Sequence, residues 1–111
     1  MNQYETVFIM HPVLSEDQVR ETVEKFKGFL EAKEAKLLHQ ENWGLKKLAY
    51  PIQHKRSGFY RLIEFQADGA IIAEMELQMK RDERIMRFQT VRMDKHHIEF
   101  AKDRRKKMQK S

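Results

Sequence analysis

This chain predicts an α+β fold, a single four-stranded antiparallel sheet with two helices packed on one of its faces. Three observations carry that expectation. Short runs rich in β-branched and aromatic residues recur along the 111 residues. Between them, two segments repeat apolar residues at helical spacing, each behind an N-capping side chain. The elements follow one another as β-α-β-β-α-β, which is the split βαβ, or ferredoxin-like, order.

The first strand is Tyr4 to Met10, YETVFIM, ended by His11-Pro12. Phe8 and Met10 share one alternation and Val7 and Ile9 the other, so both faces are apolar and the strand is expected to be central. Ser15 followed three residues later by Gln18 is a capping box, and Glu16 and Asp17 suit the positive end of a helix dipole. Val19, Val23, Phe26 and Leu30 then recur at helical spacing, opposite Glu21, Glu24, Lys25 and Glu31, to about Ala35. A second extended region runs from Lys36 to about Ile52, interrupted near Gly44. Pro51 has no N–H to give a ladder, so this region should end at a sheet edge. His54 to Gly58, HKRSG, reads as a turn, and Phe59 to Phe65, FYRLIEF, as the third strand. Asp68 caps a second helix to roughly Arg81, with Ile72, Met75 and Met79 inward. Ile85 to Met93 forms the last strand, with Met86, Phe88 and Thr90 expected on the helix-covered face. Residues 1–94 make one domain; residues 95–111 are a basic tail, expected to be extended or partly helical and to order on binding.

Composition narrows the function. The net charge is +5, and residues 93–111 hold seven Lys or Arg against three acids, so the tail carries most of the excess. Such a tail is a common mark of polyanion binding, its bland alternative being a solubilising role. The absence of cysteine excludes disulfides and thiolate metal sites and fits a reducing compartment. No apolar run approaches the roughly 18 residues of a spanning helix, and MNQYETVFIMHP lacks the basic start of a signal peptide. A soluble intracellular protein is expected.

Several stretches together resemble the bacterial small-subunit ribosomal protein six family. They are Tyr4-Glu5, His11-Pro12, WGLKKLAYPI at Trp43 to Ile52, GFY at Gly58 to Tyr60, and the hydrophobic-x-Arg-Phe of Ile85 to Phe88. The resemblance spans about residues 3–94, and WGLKKLAYPI is its specific part. It implies a ferredoxin-like fold and a structural role in the small ribosomal subunit, in the cytoplasm. It also implies binding to the central domain of small-subunit ribosomal RNA in company with small-subunit protein eighteen. The chain departs from the family pattern at Arg84, where a polar residue, often Asn, is usual, and at Arg81, where an apolar one is common. Its tail is basic, whereas some relatives end in acidic tails.

Basic residues are the RNA-binding candidates, because cations near phosphates release counterions. Lys46 and Lys47 are adjacent, so a regular strand points them to opposite faces unless a bulge at Gly44 re-aims both. On residues alone, edge lysines that discourage aggregation explain them equally well; the resemblance favours RNA or partner contact. Arg84, Arg87 and Arg92 cluster around the last strand, with Arg87 expected on the open sheet face, and Arg56 joins them. A salt bridge from Arg87 to Glu5 or Glu64 is the bland alternative. Because two helices cover one face only, Val7, Ile9, Tyr60, Leu62 and Val91 are expected to form an exposed apolar patch for a protein partner.

Other chemistries find little support. Arg56 to Phe65 looks at first like an RNA-recognition motif, but Ser57 parts the basic residue from Gly58 and the run is one residue too long. The five histidines share no ligand spacing, so no metal is expected. No phosphate loop, nucleophile elbow or paired-carboxylate motif appears, so no catalytic residue, cofactor or small-molecule substrate is expected. A structural ribosomal protein leads; the alternatives are a non-ribosomal RNA-binding module of the same fold and a regulatory dimer using the open sheet face. If the domain division is right, a chain lacking residues 95–111 keeps a single cooperative thermal unfolding transition; loss of cooperativity places the tail within the fold.

Overall fold

The computed structural model describes residues 2–52 and 54–94, and the expected form of the basic tail lies outside them. Six elements follow in order: β1 (Asn2–Met10), α1 (Glu16–Ala32), β2 (Lys36–Ile52), β3 (Lys55–Ala67), α2 (Gly69–Arg81) and β4 (Ile85–Arg92). The strands form one antiparallel sheet in the order β2-β3-β1-β4, so β1 is central, and β2 and β4 are edges. This is the ferredoxin-like arrangement the sequence predicts.

Alternation along β1 sets the two faces. Tyr4, Phe8 and Met10 meet Val19, Val23, Phe26 and Leu30 of α1 and Met75 and Met79 of α2 in the main core. Thr6 sits in the same row, and its hydroxyl exchanges a 2.9 Å hydrogen bond with Thr90 of β4 across the strand pair. Phe8 faces Phe88 and Arg61 in register, so Phe88 and Thr90 lie on the helix side as expected. Met86 does not. The β1–β4 register shifts between Ile9, opposite Arg87, and Met10, opposite Ile85. The bulge leaves Met86 unpaired and turns it away from the helices to pack with Ile9 and Leu48.

Two element boundaries differ from the sequence expectation. The first helix ends at Ala32, three residues early, because Ala35 N donates to Leu30 O and Glu34 N to Glu31 O. That is a Schellman cap, and it places Glu34 in the left-handed region at φ 63°, where glycine is usual. The second difference lies at HKRSG. Only a tight connection around His54, at φ 65°, turns the chain. Lys55 to Gly58 are already strand, paired with Ile52, Lys47 and Lys46, so β2 and β3 run on as a two-stranded arm beyond the rest of the sheet.

The capping box at Ser15 forms in both directions: the Ser15 hydroxyl accepts from Gln18 N, and Ser15 N donates to Gln18 Oε1. Asp68 accepts from Ala70 N at the start of α2. The helix layer is fastened by Asp82, which follows α2. Its carboxylate is 5% exposed and accepts from Lys25 Nζ on α1 at 3.0 Å and from Arg84 Nε and Nη2 at 3.0 and 2.9 Å. The Arg84 side chain, then its backbone N–H and Lys25, hold the Asp82 carboxyl well below the usual carboxylate range, against the opposing effect of burial. Arg84 is raised in turn, chiefly by the same hydrogen bonds.

A depressed folded-state pKa stabilises the fold above the unfolded value and loses that effect as the pH falls towards the folded one. Asp82→Asn is therefore expected to cost about 2 kcal/mol at neutral pH. The gap from wild type should close as the pH drops below about 4. Urea unfolding of both proteins across pH 2 to 7 checks this, and a gap constant with pH rules out the carboxylate's charge as its source.

Candidate nucleic-acid and partner interface

The face of the sheet away from the helices is built row by row. His39, Glu64, Glu5 and Val91 stand side by side across the four strands; the next row is Glu41, Leu62, Val7 and Gln89. Then come Gly44, Tyr60, Ile9 and Arg87, and finally Lys46 opposite Gly58. All five expected partner residues, Val7, Ile9, Tyr60, Leu62 and Val91, thus lie on one face.

They do not form the bare apolar patch the sequence suggested. Leu62 is 1% exposed and Ile9 8%, while Val7, Tyr60 and Val91 are half-buried. The chain covers part of its own sheet, because β2 is longer than its partner needs. Between the pairs Lys47–Ser57 and Ile52–Lys55, β2 has four residues where β3 has only Arg56. The slack lets Leu48 bury itself against Ile9 and Met86, with Ile52 and Tyr60 alongside. What stays open is a hollow of about 290 Å³ lined by Val7, Ile9, Tyr60, Arg87, Phe88 and Gln89.

A second bulge aims Trp43. The β2–β3 register shifts between Asn42 and Gly44, and Gly44 takes φ 74°, which a side chain resists. Trp43 then stacks on Tyr60, ring centroids 6.1 Å apart, and donates from Nε1 to Glu41 Oε1 at 2.9 Å. Glu41 also bonds His39 Nε2 at 2.9 Å, and Gln3 donates to Glu64 Oε1 at 2.6 Å. Nothing in the alternation of polar and apolar residues signals this packing of Trp43. The glycine beside it is the only trace in the sequence.

The lysines of the arm resolve as the pleat requires. Lys46, opposite Gly58, shares the face of Tyr60, and its Nζ lies 5.3 Å from the centroid of the Trp43 ring, a cation–π contact. Lys47, opposite Ser57, points to the other side. The bulge at Gly44 moves Trp43 without bringing the lysines together. Lys46 and Arg87 both lie at one end of the open face, away from Glu5, Glu41 and Glu64 at the other. Both cations are exposed, as is Arg56 on the arm.

The remaining arginines are elsewhere. Arg84 grips Asp82 in the α2–β4 connection. Arg92 pairs with Tyr4, on the helix side at the far end of the sheet, and donates to Asn2 Oδ1 at 3.0 Å. Arg61, which carried no expectation, faces the helix layer, where burial pulls its guanidinium down from its ordinary value and Glu24 holds it up. Among the described residues no group of three His, Cys, Asp or Glu could hold a metal ion, and no helix is long and apolar enough to cross a membrane.

The family model described as ribosomal protein S6 matches residues 3–92, which include every row of this face. The chain belongs to the ribosomal protein S6 family. Small ribosomal subunit protein bS6 of Bacteroides fragilis is 61% identical over 105 residues, covering 95% of this chain and 92% of that one. The Bacteroides thetaiotaomicron protein of the same name is 60% identical over the same length. Among solved structures, 30S ribosomal protein S6 from Thermotoga maritima superposes with a TM-score of 0.80 at 30% identity, covering 96% of this chain and 97% of that one. Membership of the ribosomal protein S6 family makes the chain a structural protein of the small ribosomal subunit rather than an enzyme.

The open face depends on how closely the arm approaches β1. A Cβ on Gly58 would collide with Ile9 Cγ2, come within 2.9 Å of Met86 Cε and meet the Met10 carbonyl at 3.1 Å. Gly58→Ala is expected to destabilise by about 1–3 kcal/mol, since a backbone atom cannot give way as a side chain can. Chemical denaturation checks it; unchanged stability would show that the arm can lift from the sheet at no cost.

Proposed function

We propose that this chain binds the central domain of small-subunit ribosomal RNA together with small-subunit protein eighteen, through the open sheet face and the β2–β3 arm. One observation supports the reading above all. A single face offers a hollow with apolar walls at Val7, Ile9 and Tyr60, and cations beside it, Arg87 in the lining of the hollow and Lys46 at the end of the face. Phosphates are drawn to the cations and repelled by Glu5, Glu41 and Glu64, whereas the hollow suits a protein side chain. In this reading Lys46, Lys47, Arg56 and Arg87 contact RNA. The partner protein closes over Val7, Tyr60 and Val91, above the buried Ile9 and Leu62. Arg84 and Arg92 are engaged away from this surface, by Asp82 and Asn2, and take no part. No bond is made or broken; the protein stabilises folded RNA by charge neutralisation and by completing a composite surface.

The test is binding to a central-domain RNA fragment across a salt series, with and without protein eighteen. Tight binding only with both proteins supports the composite surface; equal binding by this chain alone removes the partner from the mechanism. In the same assay Lys46→Ala combined with Lys47→Ala should weaken binding and reduce the salt slope by about two. An unchanged slope takes both lysines out of phosphate contact.

A further inference from the structure

Tyr50 is 77% exposed, the most open large apolar or aromatic side chain among the described residues. At that exposure it contributes little to folding. The backbone that carries it is nevertheless fixed. Tyr50 lies in the four-residue excursion of β2, with Leu48 buried at 7% before it and Ile52 paired to Lys55 and packed on the satellite cluster after it. Pro51 restricts the backbone next to it and holds Tyr50 extended. An aromatic ring is therefore held out into solvent on a short, doubly anchored bow.

The arm that carries it is cationic in sequence: from Leu45 to Gly58 it has no acidic residue, while Lys46, Lys47, Lys55 and Arg56 fall within that span. Arg56 is the one β3 residue opposite the excursion. A protein groove for an aromatic anchor needs apolar neighbours, and those of Tyr50 are turned inward at Leu48 and Ile52. Exposed ring, fixed backbone and cations without carboxylates are the combination that binds unstacked nucleotides: the ring stacks on a base while the cations hold the flanking phosphates.

We propose that Tyr50 stacks on an unpaired base of the bound RNA, making the tip of the arm a single-nucleotide contact in addition to its phosphate contacts. The proposal rests on the RNA-binding reading above and adds to it a ligand class, an unstacked nucleobase, that charge alone does not supply. The experiment uses the full chain, its Tyr50→Ala and Tyr50→Phe variants, and the central-domain RNA fragment with protein eighteen present. Tyr50→Ala should weaken binding on the order of tenfold at every salt concentration, leaving the salt slope unchanged, because stacking releases no counterions. Tyr50→Phe should bind within about twofold of wild type, since it keeps the ring. Both variants should unfold at the wild-type temperature.

Wild-type affinity in Tyr50→Ala overturns the proposal. Equal loss in both variants assigns the contact to the hydroxyl and overturns stacking. A loss that appears equally in binding protein eighteen without RNA makes Tyr50 a protein contact and overturns it too. If wild-type protein fails to bind the fragment under any condition, the RNA reading itself falls, and this proposal with it.

Discussion

Strand β1 pairs with two neighbours at once, and its register decides what every other part of the molecule can do. Its residues alternate between the helix layer and the open face, so a slip of one position would send Phe8 and Met10 into the hollow and Val7 and Ile9 under the helices. Several features oppose that slip. Phe8 is fully buried against Phe26 of α1, Thr6 and Thr90 bond across the strands, and Gly58 is small where Ile9 and Met86 crowd it. The helix layer is tied in turn to the end of the sheet by Asp82, which joins Lys25 of α1 to Arg84 beside β4. With β1 fixed, the rows of the open face follow, and so do the separate positions of Lys46 and Arg87 at one end and Glu5 and Glu64 at the other.

A surface of this kind answers two needs that conflict chemically. RNA phosphates require exposed cations, while a protein partner requires apolar surface and desolvates nearby charge at a cost. The sheet separates them along its strands. The stacked pair of Trp43 and Tyr60 lies at the boundary, with one side of the indole under Lys46 and its N–H bonded to Glu41. The arm carries cationic character beyond the sheet, its sequence from Leu45 to Gly58 holding Lys46, Lys47, Lys55 and Arg56 and no acidic residue.

Most of the architecture was legible because it is local. The capping box at Ser15, the inner faces of both helices and the apolar alternation of β1 each involve residues close in sequence, and each is where the sequence predicts it. The common face of Val7, Ile9, Tyr60, Leu62 and Val91 was legible as well, since parity within strands suffices once the strand order is known. What could not be read depends on register. Met86 changes sides through a bulge that no feature of IMRFQTVR announces, and Lys55 to Gly58 look like a turn because their composition is polar, yet they pair in the arm. The fold of Leu48 back onto Ile9 depends on a mismatch in length between two strands, which is visible only when both are seen together. The open face is less exposed than the sequence suggests for the same reason.

That mismatch bears on how sequences of this kind can drift in length. The surplus of β2 between Leu48 and Pro51 lies in an edge strand, bounded on both sides by formed pairs and opposed by a single residue. A codon gained or lost there alters the bow and leaves every pairing of β1 and β4 where it was. The same event inside β1 would turn the sheet inside out. Insertions and deletions are therefore filtered by position: the central strand forbids them, and the bow of the edge strand is a place where chain length can vary without changing which face is which.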